Sequence, residues 1–289
     1  MSTVDATSTR RALQRQRRAT VLRVIGEGSL NAVVTLVVVV ALWELLLRLA
    51  DVSDFAAKRP GDVWSFLFVT EPGAAADDTA AAHRELLAPL VIDTMQDAAL
   101  GFVTGMVIAT ALALAFTLSK TVEAGVLPFA LFLRSVPLVA IAPAILLLTG
   151  IGTTLSVAVI GCIVVLFPAL ASVMFGLSRA SRESLDLVHV YGGGSLAALA
   201  KVAIPGAMPS IFAAARVSVP GAVTGAMLAE WLSTGAGVGG KFEAFRASVK
   251  YDELWAAIAL VTFLTLVLYN VVQLLEGLVL ARMGMADAR

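Results

Sequence analysis

Six stretches of this 289-residue chain are apolar for long enough to cross a lipid bilayer, and nothing else in it restricts the fold as strongly. The hydrocarbon core takes roughly 20 apolar residues of helix. With no water there, only helices and closed barrels satisfy their own backbone hydrogen bonds. The candidate spans are 30–49, 95–118, 126–148, 155–177, 206–231 and 254–280. Composition agrees, with 59% hydrophobic and 15% charged residues against about 45–50% and 25% in soluble domains. Intrinsic disorder is excluded on the same ground. The pattern predicts an all-α integral membrane protein of six transmembrane helices.

The first span carries the run LVVVVALW after an Arg-rich arm. A signal-peptide apolar region is about 7–15 residues and ends in small residues. This one is longer and ends in Glu44, Arg48 and Asp51, so it reads as a retained span. Basic flanks set orientation. Arg10, Arg11, Arg15, Arg17, Arg18 and Arg23 precede the first span, whereas 51–93 holds Lys58, Arg59 and Arg84 beside eight acids. The expected organisation is a basic cytoplasmic arm (1–29), a first span (30–50) and an extracytoplasmic segment (51–93). A five-helix core (94–281) follows, with a cytoplasmic connection at 178–205 and a tail at 282–289 ending in Arg289. Both termini are then cytoplasmic. The arm's charge fits this topology and anionic lipid headgroups, not nucleic acid. In 51–93, Val63–Phe68 is expected as a short interfacial helix and Glu71–Thr79 as loop; the acidic character of 71–85 has no sequence explanation.

Several site classes lack their residues. Cys162 is the one cysteine, which removes disulfide and CxxC chemistry, and His83 and His189 are far apart without clustered ligands. No metal, cofactor or catalytic residue is expected. Gly235, Gly237 and Gly240 satisfy GxGxxG, and Gly235–Lys241 satisfies GxxxxGK. Phe242 stands where a phosphate-binding loop needs Ser or Thr, and no strand precedes the glycines. A glycine-rich turn on the outer side is the expectation, and the chain by itself does not hydrolyse ATP. Gly101/Gly105 and Gly221/Gly225 are GxxxG pairs, expected to pack helices closely.

Polar and helix-breaking residues inside spans are costly and often functional. Glu44 and Arg48 read as an i,i+4 pair. Arg134 and Arg216 are placed to snorkel toward the cytoplasmic side. Pro128, Pro137, Pro143 and Pro168 interrupt spans three and four, and a broken helix is tolerated only when buried in protein or lining a watery cavity. Arg134, Pro137, Pro143 and Glu230 are therefore candidates for a substrate pathway, with structural pairing or kinking as the alternative.

The connection SRASRESLDLVHVYGGGSLAALAKVAIP predicts a helix over Arg182–Val190, a break at Gly192–Gly194, Ser195 as N-cap, and a second short helix over Leu196–Val202. Leu185, Val188 and Leu196 are its apolar residues offered to a partner. The segment resembles the EAA loop of permease subunits in ATP-binding cassette importers, a pattern of Glu-Ala-Ala, a glycine four residues on, then a spacer to an apolar residue and Pro. Here Asp186-Leu187-Val188, Tyr191-Gly192 and Ile204-Pro205 occupy those places, with His189 where Arg is common. LFLRSVPLVAIAPAILLLTGIG (131–152) and IPGAMPSIFAAARVSVPGAVTGAMLAEWLSTGAGVGG (204–240) resemble the third span, fifth span and glycine-rich outer loop of the nitrate/sulfonate/taurine group of these permeases.

The resemblance implies a type I importer permease fold with cytoplasmic coupling helices in the bacterial plasma membrane. It also implies a second permease copy, separate ATP-binding cassette ATPase subunits, and an extracytoplasmic substrate-binding protein. Asp186, Leu187, Val188, His189, Tyr191, Gly192, Gly193, Ile204 and Pro205 would couple to the ATPase: Asp186 and Tyr191 for docking, Gly192 for the turn, Pro205 for re-entry. The solute would be small and anionic, such as a sulfonate, taurine or nitrate; bicarbonate or a thiamine-precursor pyrimidine also fits the group. The alternatives are an ion-gradient-driven secondary transporter, which wants midplane acids, and a membrane enzyme or assembly factor, which wants buried His, Asp or Glu clusters.

Overall fold

The computed structural model describes the backbone of residues 3–50 and 52–285, with side chains from residue 28 onward apart from Leu133 and Thr234. The side chains of the basic arm and the tail's Arg289 lie outside that set. The described residues are helices joined by short turns: α1 (Thr3–Ala50), α2 (Pro60–Phe68), α3 (Ala80–Leu118), α4 (Lys120–Ser135), α5 (Leu138–Thr149), α6 (Thr154–Ser178), α7 (Arg182–Val190), α8 (Ser195–Ala198), α9 (Ile204–Ala229), α10 (Gly237–Ala247) and α11 (Tyr251–Met283). Two π-helical turns, Leu199–Ala203 and Glu230–Thr234, flank α9. Among the described residues, five helical stretches are long and apolar enough to cross a membrane: Gly28–Ala50, Ala80–Leu118, Thr154–Ser178, Ser195–Ser233 and Tyr251–Met283.

The third expected span, 126–148, is not one helix. It divides at Val136-Pro137 into α4 and α5. Proline lacks the N–H that would continue α4 and disfavours the helical conformation of the residue before it. At 1.5 Å per residue α5 covers only about 18 Å, well short of a bilayer core of roughly 30 Å. The pair still makes a crossing. Gly101 lies against Gly161 and Gly105 against Val165, so α3 and α6 run parallel. The chain must therefore cross back between Leu118 and Thr154, and six crossings result.

The same neighbour pairs orient the bundle. Gly221 and Gly225 of α9 meet Val164 and Gly161 of α6, while Ser210 meets Gly176, so α9 runs antiparallel to α6. Trp43 stacks on Trp255 at 5.6 Å while Gly28 meets Leu274, so α1 and α11 are antiparallel. Arg216 of α9 pairs with Glu276 near the end of α11. The start of the first span, the end of α11 and the 178–203 connection therefore share one face. Helices α2 and α10 and the 71–79 loop lie at the opposite end.

Both GxxxG pairs pack helices, as expected. A Cβ on Gly101 would stand 2.8 Å from the Gly161 Cα, and one on Gly225 3.2 Å from it, so α3 and α9 both cross α6 at Gly161. Small residues let backbones approach where lipid offers no hydrophobic drive to association. The short helix expected over Val63–Phe68 is present as α2, with Pro60 in its first turn and Arg59 N–H donating to Asp62 Oδ2 at 2.8 Å. One boundary differs from the sequence reading: α3 begins at Ala80, capped by Thr79, and extends through Pro89, so all of 80–93 is helix. Its neighbours hold it: His83 stacks on Phe66 at 3.8 Å, its Nδ1–H donates to Phe66 O at 2.9 Å, its Nε2 lies 3.2 Å from Asp78 Oδ1, and Arg84 donates to Leu67 O.

Candidate functional site

Two places in the chain carry more polar and conformational detail than a membrane bundle needs. The first is the tip at 178–203. Ser181 caps α7, its hydroxyl accepting from Ser184 N–H at 3.2 Å. At the other end Gly192 N–H donates to His189 O and Gly193 N–H to Val188 O, both at 2.9 Å, with Gly192 at φ +80°. That is a Schellman ending, and its left-handed residue favours glycine. A Cβ on Gly193 would stand 2.5 Å from Val188 Cγ1, so a second glycine is required by close approach. The triple glycine is thus a built turn.

Of the coupling candidates, Asp186, Leu187, Val188 and His189 lie on α7, Tyr191 is its C-cap, and Gly192 and Gly193 form the turn. The apolar residues turned outward are Leu187, Val190 (82% exposed), Tyr191 (84%) and Leu196. Leu185 and Val188, expected to face a partner, are half-buried; Val188 packs over Gly193. Two further details depart from the sequence reading. Gly194, not Ser195, is the N-cap of α8. Ile204-Pro205 is not a separate re-entry point, because α8, the π turn and α9 form one helical rod. Pro205 falls in α9's first turn, where a missing N–H is tolerated.

The second place is at the opposite end of that rod. Glu230 is fully buried, 0% exposed. Its Oε2 accepts from Thr94 Oγ1 of α3 and from Gly239 N–H of α10, each at 2.9 Å. The Thr94 hydroxyl in turn accepts from Val238 N–H at 2.9 Å. A carboxylate at a helix amino end is held by free N–H groups and the helix dipole. The glycine motif thus makes an anion site, and the chain's own Glu230 fills it. Gly237 (φ +61°) leaves room for that carboxylate, since a Cβ there would overlap it, and a Cβ on Gly239 would overlap Met227 O. Glu230 accordingly faces protein, not an open passage. Thr94 was not singled out from sequence; a lone hydroxyl in an apolar window 136 residues away gives no local sign of its partner.

Elsewhere, Arg134 is exposed in the last turn of α4, directly before the Val136-Pro137 break, and Pro143 lies inside α5. These three come together on the broken crossing, while Glu230 belongs to the neighbouring junction through Ala229, which packs on Ala142 and Leu146 of α5. Arg216 does not snorkel: it pairs with the buried Glu276 at 3.0 Å and lies 6.0 Å from the Tyr269 ring centre. Glu44 and Arg48 pair at 2.6 Å, as expected. At the end of the bundle away from the 178–203 tip, an open cleft of about 690 Å³ is lined by Asp54, Lys58, Arg59, Glu71, His83 and Asp252, among others.

The family of binding-protein-dependent transport system inner membrane components matches residues 101–285, well over half the sequence. The chain belongs to this family. The permease is 26% identical over 232 residues to a probable ABC transporter permease protein of Haemophilus influenzae, covering 80% of this chain and 89% of that one. It is 25% identical over 145 residues to a riboflavin transport system permease protein of Chloroflexus aurantiacus, with 50% of this chain and 54% of the relative covered. A putative aliphatic sulfonates transport permease protein of Escherichia coli is 27% identical over 146 residues, with 50% and 55% covered. The protein is an all-helical membrane permease of the ATP-binding cassette transport class, whose members work with ATPase and binding-protein partners.

Proposed function

We propose that this permease forms the translocation pathway of an ATP-driven importer for a small anionic solute, and that the 178–205 segment couples it to a separate ATPase subunit. The observation that carries the reading is the tip itself. A capped helix, a Schellman turn and a second helix hold Leu187, Val190, Tyr191 and Leu196 out of the bundle, on the face shared by both ends of the chain's spans. Apolar side chains held rigidly in water are what a partner groove would cover. In this reading Asp186 and His189 add polar docking contacts, and Gly192 and Gly193 hold the angle between the two helices. Ile204 and Pro205 begin the rod through which movement enters the membrane.

The tip face is then cytoplasmic, in a bacterial inner membrane, with the basic arm and tail on the same side. The 51–93 segment and α10 face the external binding protein, which supplies most of the selectivity. A second copy of the permease completes the pathway, covering apolar residues on the broken crossing such as Phe132, Leu147 and Leu148. Arg134, beside the break at Pro137 and ahead of Pro143, offers a guanidinium for a sulfonate, nitrate or similar anion. The name of the sulfonate relative supports that solute class, while another relative is named for riboflavin transport.

The test is a mild-detergent pull-down of the tagged chain from its native host. An ATP-binding cassette subunit should elute with the wild type, be lost with Gly192→Val, and remain with Gly192→Asn, because Asn tolerates the left-handed conformation. A wild-type chain eluting without any ATPase, under conditions that preserve other such complexes, would sink the reading.

A further inference from the structure

We propose that Glu230, Thr94 and the amino end of α10 form a latch that closes the outer end of the pathway, and that the α8–α9 rod connects it to the coupling tip. The inference rests on the importer reading above, because it needs an ATPase at the tip. The rod runs without a turn from Ser195 to Ser233. Its 39 residues give a length on the order of 55 Å at 1.5 Å per residue. One end begins directly after the Gly192–Gly194 turn. The other carries Glu230.

Four elements meet at the junction of α9 and the π turn Glu230–Thr234: α3, α5, α10 and the loop between α5 and α6. Glu230 binds Thr94 of α3 and Gly239 of α10. Ser233 Oγ accepts from Gly152 N–H at 2.7 Å, which ties in the loop between α5 and α6. Ala229 packs with Ala142 and Leu146 of α5. The Thr94 hydroxyl uses both its functions, donating to Glu230 and accepting from Val238. Sliding α9 along α3 would therefore break the Thr94–Glu230 bond and at least one of the two bonds to α10, which makes the arrangement two-state. Both ends of α9 are π-helical, and such single π turns are rare and frequent at functional sites. Glu230 is thus a positioning residue: it touches no solute, and it sets the resting state that ATP binding must overcome.

The experiment uses the whole complex, permease with its ATPase and binding protein, in lipid vesicles. The quantity read is the ratio of ATP hydrolysis with and without loaded binding protein. Thr94→Val keeps the side-chain shape and removes both hydroxyl bonds. The basal rate should rise and the ratio fall at least threefold, with the ATPase still bound. Thr94→Ser keeps the hydroxyl and should restore the wild-type ratio. A purely structural role would lower thermal stability in Thr94→Val and leave the ratio of the surviving complex unchanged; that result overturns the latch. If Thr94→Val does not assemble, the wild type decides by hydrogen exchange. The Val238 and Gly239 amides should exchange at least tenfold faster when the complex is trapped with a non-hydrolysable ATP analogue than without nucleotide, and equal protection in the two states refutes the proposal. Failure of any ATPase to co-purify is a different outcome: it removes the importer reading, and the latch's operation from the tip goes with it.

Discussion

At Gly161 the smallest side chain decides whether three helices can meet. Gly101 and Gly225 approach it from opposite elements, and the atoms that a Cβ on either would meet include backbone, which cannot rotate away. Gly161→Val should therefore cost about 1–3 kcal/mol, the usual range for overpacking, toward the upper end. A lower thermal unfolding midpoint of the detergent-purified chain is the readout. Gly125→Ala is the matched control: its Cβ would meet nothing within 4 Å, and it lies inside α4. That change should leave stability unchanged or raise it by about 0.5–1 kcal/mol, since alanine loses less backbone entropy in a helix. Equal losses at both positions would contradict the crossing described here. Gly192 differs from either: it has open space around it, and its requirement comes from φ alone.

Between elements, the bonds that fix helix against helix are few and specific. The Arg216–Glu276 pair joins α9 to α11, with the arginine side chain 24% exposed and the glutamate 7%. Removing one partner of such a pair leaves an uncompensated charge and costs about 3–5 kcal/mol, whereas replacing both with apolar groups is often close to neutral. Arg216→Met alone should destabilise by about 3 kcal/mol, the lower end, because the site is not fully desolvated. Adding Glu276→Met should recover most of that loss, measured as a double-mutant cycle on thermal unfolding. Additive losses would mean that the two side chains do not interact. The neighbouring α4–α5 break needs no such pair, because Pro137 alone interrupts the ladder.

For the whole molecule, the neighbour pairs demand six crossings and put the 178–203 tip, the start of the first span and the end of α11 on one face. Single-cysteine labelling in intact cells tests this directly, since Cys162 is the one native cysteine to replace. In a Cys162→Ser background, Asp77→Cys and Ser248→Cys should react with a membrane-impermeant maleimide added outside. Glu183→Cys should react only after the cells are opened. All three positions are exposed in the chain. Outside labelling of Glu183→Cys would invert the topology and place the tip where no ATPase could reach it.

The sequence alone was enough to read the apolar spans, the prolines at which the third could break, the short helix after Pro60 and the helix–turn–helix tip. Each of these rests on local chemistry: apolar length, a proline without an N–H, and glycines after a capped helix. It did not reveal which way each helix is turned. Spans that are apolar on most sides carry no strong polar stripe to orient them, so partners 60 or 136 residues apart, Arg216 with Glu276 and Thr94 with Glu230, leave no trace in periodicity. Glu230 read as a pathway candidate because an acid in a span is costly and often functional. Only the tertiary structure brings the amino end of α10 and the Thr94 hydroxyl to it, which makes it affordable to bury. The same holds for the tip, where the fold turned Leu185 and Val188 inward and left Leu187, Val190 and Tyr191 facing out. Burial is settled by what the rest of the chain places nearby, and no local rule contains that information.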